Sequence, residues 1–229
     1  MGNPNGSHYD NTINNQHTTI MLLLSHTNDK IECGCDEAGR GCLAGPVFAA
    51  AVVLPDGYQN SLLNDSKQLT ERQRSLLRPI IERDATAWAV ASVSAEEIDR
   101  LNILKASLHA MNLAVRYILG EHDLYGVCGR IAPHQQPELL LIDGNRFYNE
   151  TPIPHLCIVK GDGKYMSIAA ASILAKTHRD AHMQNLHALH PQYGWNRNKG
   201  YPTKEHYAAI KDFGATECHR KSFKLVKCE

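Results

Sequence analysis

Four carboxylates stand where an apolar stretch of this sequence gives out beside glycine: Asp36 and Glu37 ahead of Ala38-Gly39-Arg40-Gly41, Asp143 before Gly144, and Asp162 between Gly161 and Gly163. Each taken singly reads as a turn or cap residue. Together they place acids at three separate strand ends, where side chains leave the core and can converge at one sheet edge. Gathered carboxylates repel one another unless cations neutralise them. Hard divalent ions with oxygen ligands, Mg²⁺ or Mn²⁺, suit such a set. Two ions about 4 Å apart would serve in-line hydrolysis of a phosphodiester, one at the attacking water and one at the leaving 3′-oxygen. Because Asp36 and Glu37 are adjacent, a regular strand would point them to opposite faces. A break at the following glycines is therefore expected to bring both into one site.

The elements that must position these acids are an α/β set. Apolar runs predict strands at Ile31 to Cys35, Pro46 to Leu54, Thr86 to Val93, Leu139 to Ile142 and Leu156 to Val159. Thr70 with Gln73 and Ser94 with Glu97 have capping-box spacing and open two helices. In the first, Leu76, Leu77, Ile80 and Ile81 share a face and Pro79 predicts a kink or an early end. In the second, Ile98, Leu101, Leu108, Met111 and Val115 recur at helical spacing. A small-residue helix from Ser167 to about Leu189 and a last helix near Thr203 follow. Adjacent early strands and later alternation imply a mixed sheet flanked by helices.

At 229 residues, 43% hydrophobic and with 24 basic against 24 acidic residues, the chain fits one soluble domain without overall basic bias. Local bias exists: Trp195 to Glu229 holds eight Lys/Arg against four Asp/Glu. Residues 1–30, rich in Asn, His and Thr, predict a flexible extension before a catalytic domain at 31–229. Seven irregularly spaced cysteines suggest reduced thiols, and Ile20 to Leu24 is too short to span a membrane. A cytoplasmic, membrane-free and monomeric protein is expected. His178 and His182 have i,i+4 spacing but lack a zinc-protease glutamate, so a solvated helix face is expected there. Gly161-Asp162-Gly163-Lys164 lacks the spacing of a nucleotide-binding loop.

Seven ordered blocks resemble bacterial ribonuclease HII: Cys35 to Pro46, Asn64 to Thr70, Leu101 to Leu104, Leu141 to Asn145 with Val159 to Asp162, Ile168 to Lys176, Lys199 to Thr203, and His219 to Phe223. The resemblance implies a ribonuclease H-like fold with Asp36, Glu37, Asp143 and Asp162 as catalytic, metal-binding acids, and Mn²⁺ or Mg²⁺ as cofactor. It implies an RNA/DNA hybrid or ribonucleotide-containing duplex DNA as partner, cut 5′ of the ribonucleotide. Gly39-Arg40-Gly41 would read the 2′-hydroxyl through its backbone, since glycine lets the main chain approach a sugar closely. Tyr201 would pack on the neighbouring deoxyribose, and Ser66, Lys67 and Asn102 would lie near phosphates. A sister nuclease such as ribonuclease HIII, a non-catalytic hybrid-binding module and a small-molecule phosphohydrolase are the competing readings. The arginine of Gly39-Arg40-Gly41, the retained acids and the Tyr201 block argue against each in turn.

Overall fold

The computed structural model describes residues 22–63 and 68–226. Its first strands, β1 (Glu32–Ala38), β2 (Val47–Val53), β3 (Ala87–Val93) and β4 (Val127–Arg130), form an antiparallel meander. β5 (Leu139–Asp143) pairs parallel to β1, and β6 (His155–Ile158) parallel to β5. The sheet order is β4-β3-β2-β1-β5-β6, which places β1 centrally. β1 and β2 are buried on both faces because helices cover both, and β2 is apolar throughout.

On one face Cys33 and Cys35 of β1 and Val47, Ala49, Ala51 and Val53 of β2 pack against α3 (Ile103–Ile118), through Leu108, Met111 and Val115. On the other, Phe48, Ala50 and Val52 meet α1 (Glu71–Asp84) and α4 (Met166–Leu189) through Leu77, Ile81, Ala170 and Ile173. The small residues of α4 let it lie almost on β1. A Cβ built on Gly34 would run into the backbone of Ser167 and Ile168.

Both capping boxes form. Thr70→Ala is expected to lower stability by about 1 kcal/mol in urea denaturation, because Thr70 accepts from the Gln73 N–H at 3.2 Å. Pro79 does not end α1: it is exposed, and so is Ser75, the residue whose carbonyl it leaves without a helical bond. Leu76 is likewise exposed rather than part of the buried face. The helix opened by Ser94 divides at Asn102, whose φ of 70° separates α2 (Ala95–Leu101) from α3.

Part of the stretch expected as an extension contacts the domain. The Leu23 N–H donates to the Lys164 carbonyl and its own carbonyl accepts from Met166, both at 2.8 Å, while Leu22 is buried. Glu32 accepts from the N–H groups of His26 and Thr27 at 2.8 and 2.6 Å. Residues 22–27 are thus bonded to the body of the domain, and the remainder of the expected extension, 1–21, lies outside the described residues.

Candidate metal and nucleic-acid site

The carboxylates of Asp36, Asp143 and Asp162 each offer an oxygen within 4.8 Å of the others. They arrive from β1, from the end of β5 and from a 3-10 turn, Gly161–Gly163, that leads into α4. The Gly161 N–H donates to Asp143 Oδ1 at 2.7 Å and fixes the β5 side of the group. Asp36 accepts from the Glu37 N–H at 2.7 Å and from Ser172 on α4. Burial, then the charges of Glu37 and Asp143, push the Asp36 carboxyl well above its usual range. A divalent cation with oxygen ligands would relieve that repulsion, so this donor set fits Mg²⁺ or Mn²⁺.

Glu37 is not brought into the three-acid group. β1 does end at the glycines, at Ala38, but too late to turn Glu37, because the strand keeps its register through Glu37↔Ala49 and Ala38↔Phe48. The pleat therefore sends the two side chains apart, and the Glu37 carboxylate meets Arg40 at 3.2 Å.

Gly39, Arg40 and Gly41 form the turn that follows β1, with the Cys42 N–H directed at the Gly39 carbonyl. Gly39 has φ +95°, and a Cβ there would overlap the Arg179 side chain. Arg179, fully buried on α4, donates to the carbonyls of Pro46 at 3.1 Å, Lys199 at 2.8 Å and Ala44 at 3.2 Å. Arg220, also fully buried, donates to Gly45 at 3.0 Å and Arg40 at 2.9 Å. Burial pushes the Arg220 guanidinium down to about 10, which leaves it charged at neutral pH. Neither arginine has a carboxylate partner among the described residues. Sequence reasoning missed both. The signal available was that Arg220 lies inside the His219–Phe223 block and Arg179 three residues past the Ile168–Lys176 block.

Tyr201, 39% exposed, stands over this loop, with Lys176 Nζ 5.8 Å and Arg179 Cζ 5.9 Å from its ring centre. Burial, with the Cys42 thiol second, raises its hydroxyl above the ordinary tyrosine value. Its backbone is held from behind. His206 on α6 (Lys204–Phe213) meets the Tyr201 carbonyl through Nδ1 at 3.0 Å, and its Nε2 accepts from the Trp195 indole at 3.0 Å. His219 Nε2 lies 3.2 Å from the same His206 atom. Since His219 Nδ1 accepts from the Thr216 N–H at 3.0 Å, its proton belongs on Nε2. Only two neutral rings satisfy this chain of bonds.

Burial, followed by the neighbouring His206 and His190, lowers His219 to about 4. A lowered histidine value means the unfolded chain takes up the proton first. Stability is then complete above about pH 6.5 and lost as the pH falls towards 4. The urea midpoint is expected to drop between pH 7 and pH 5 by the equivalent of about 2 kcal/mol from this group. An unchanged midpoint would contradict neutral pairing.

Asn102 is exposed and caps α3 by accepting from the Lys105 N–H at 3.1 Å. Ser66 and Lys67 lie outside the described residues. His178 is not on a solvated face: it pairs with Glu82 at 2.9 Å, and His182 packs against Phe48. A second group of possible metal ligands, His190, Glu217 and Cys218, is explained by the contact of the first two at 3.7 Å, with Glu217 largely in solvent. Six described cysteines are free, and no described helix is long and apolar enough to cross a membrane.

The ribonuclease HII family model matches residues 33–226. The Ribonuclease HII of Bacteroides thetaiotaomicron is 58% identical over 206 residues, covering 90% of this chain and 96% of that protein. That of Porphyromonas gingivalis is 53% identical over 207 residues, with 90% and 96% covered. Among solved structures, the PCNA:RNase HII complex from Archaeoglobus fulgidus matches with TM-score 0.64 at 24% identity, covering 87% of this chain and 98% of that one. Bst-RNase HIII in complex with Mn²⁺ matches with TM-score 0.61 at 20% identity, covering 85% and 67%. At these identities the structures speak for the ribonuclease H-like fold, whereas the family model and the sequence relatives speak for the family. This chain belongs to the ribonuclease HII family, hydrolases with ribonuclease H activity on RNA/DNA hybrids.

Proposed function

We propose that this protein cuts the RNA strand of hybrids and also the phosphodiester 5′ of a single ribonucleotide in duplex DNA, leaving 3′-hydroxyl and 5′-phosphate ends. Asp36, Glu37, Asp143 and Asp162 would hold Mn²⁺ or Mg²⁺. The observation that carries this reading is the convergence of three carboxylates from separate elements within 4.8 Å. Bound in a pair, such ions supply Lewis-acid chemistry at both ends of an in-line displacement.

The chain's own groups do the rest. Gly161 and Ser172 orient Asp143 and Asp36 through hydrogen bonds. Glu37, next to Asp36 on β1, would contribute a fourth carboxylate on leaving Arg40, and the pair it would break is partly exposed. Gly39-Arg40-Gly41 reads the 2′-hydroxyl through main-chain groups, and Tyr201 offers its partly exposed ring to the adjoining deoxyribose. Asn102, Ser66 and Lys67 would contact phosphates. One chain supplies all of these groups, which favours a monomeric enzyme.

End-group analysis tests the chemistry. Products from a long hybrid should carry 3′-hydroxyls that a polymerase extends. A 2′,3′-cyclic phosphate would mean attack by the ribose itself and would overturn the reading.

A further inference from the structure

The block His219-Arg220-Lys221-Ser222-Phe223 has no part in the chemistry described so far, yet it carries a buried charge. Arg220 is fully enclosed, covered by the Phe223 ring at 5.2 Å, and one of its terminal nitrogens has no hydrogen-bond partner among the described residues. As a device for stability alone this is costly, because a buried guanidinium normally needs an anion and full hydrogen bonding. What it does hold is the carbonyl of Arg40 at 2.9 Å, from below, while Asp99 anchors the block by accepting from the Lys221 and Ser222 N–H groups at 2.8 Å each.

Arg40 and Gly41 are the two corner residues of the turn closed between Gly39 and Cys42. The peptide between them is trans, so its C=O and N–H point in opposite directions. With the carbonyl drawn inward to Arg220, the Gly41 N–H is turned outward. Gly41 is exposed, nothing lies within 4 Å of where its Cβ would be, and no acceptor for its N–H is found among the described residues.

The central peptide of a β-turn is also the one that flips. Glycine at the second corner favours the flipped form, which needs φ above zero there. Gly41 is not among the positive-φ glycines. The Arg220 bond opposes the conformation that this glycine would otherwise make easy.

We propose that Arg220 is a positioning residue for sugar recognition, holding the Arg40–Gly41 peptide so that the Gly41 N–H faces the 2′-oxygen of the ribonucleotide. This rests on the reading that the Gly39-Arg40-Gly41 turn recognises the 2′-hydroxyl. It adds the group that sets the direction of the donor.

The test is binding without cleavage. Affinities for a duplex with one ribonucleotide and for the same duplex in all-DNA form are measured in chelator by fluorescence anisotropy, for wild type, Arg220→Lys and Arg220→Met. Wild type should favour the ribonucleotide duplex by about fivefold, the size of one neutral hydrogen bond. In Arg220→Lys the charge remains but the fixed fork of Nε and Nη1, which reaches the Gly45 and Arg40 carbonyls together, is lost. The preference should fall towards one while all-DNA affinity is kept; in Arg220→Met the preference should fall as well. General loosening of the fold would weaken both duplexes alike and leave their ratio unchanged.

A preference retained by both variants overturns the role of Arg220. No preference in wild type overturns the recognition reading itself, and this proposal with it. If neither variant folds, the amide resonance of Gly41 in ¹⁵N-labelled wild type decides. It should shift downfield with the ribonucleotide duplex and not with DNA, and an equal response to both would refute the proposal.

Discussion

Asp143→Asn is expected to lower hydrolysis of an RNA/DNA hybrid by three to five orders of magnitude while leaving the fold intact. The size follows from what a carboxylate does at a site that gathers cations: it fixes their position and neutralises charge, and transition-state stabilisation lost in this way is worth several kcal/mol. The fold should survive because asparagine keeps an oxygen to accept the Gly161 N–H, which Asp143 Oδ1 accepts at 2.7 Å. Asp36→Asn should be similarly inactive but differ in stability. The Asp36 carboxyl is raised, so its folded form holds a proton more tightly than the unfolded chain does. Its contribution is present at low pH and is lost as the pH rises through the raised value. Without metal at neutral pH, Asp36→Asn should therefore melt higher than wild type, and added Mg²⁺ or Mn²⁺ should raise wild type more than the variant. Activity assays and thermal melts check both halves. Wild-type turnover in either variant would remove the acids from the mechanism.

Tyr201→Ala should reduce cleavage at a single embedded ribonucleotide on the order of 10- to 100-fold, the equivalent of losing one aromatic contact with a nucleotide, about 1–3 kcal/mol. Long hybrids, with many registers that need no particular RNA-to-DNA step, should lose much less. The ring is poised for this role: partly exposed, with Lys176 and Arg179 near its face and its backbone carbonyl held by His206 at 3.0 Å. Initial rates on the two substrates, compared as a ratio, provide the measurement. Equal losses would assign Tyr201 to the loop's stability instead.

Where the sequence spoke clearly, a local physical rule and the tertiary structure agreed. Leu139 to Ile142 runs apolar into Asp143, and a strand buried on both faces ends there in a site acid. Thr70 and Ser94 cap as their spacing implies. Where it misled, another force prevailed. Pro79 was tolerated because the bond it forfeits lies on the solvent side. The division at Asn102 was hidden because the apolar spacing from Ile98 to Val115 runs on across it. β4, only four residues with alternate exposure, gave too little pattern to stand out from its loop. Glu37 parted from Asp36 because the β1–β2 ladder held the pleat one residue beyond the acids. Arg179 and Arg220 escaped notice for a different reason. Arginine in a basic stretch reads as surface, and only the folded chain reveals carbonyls of distant loops converging on it.

The central claim is that a metal-dependent site is joined to a turn that recognises one ribose. Its most direct test is endonuclease cleavage of a labelled DNA duplex containing a single ribonucleotide, run beside an all-DNA duplex in Mg²⁺, in Mn²⁺ and in chelator. The account predicts one cut, 5′ of the ribonucleotide, in metal only, with the all-DNA duplex untouched. Cutting in chelator, cutting of the all-DNA duplex, or no cut at the ribonucleotide while long hybrids are degraded would contradict it.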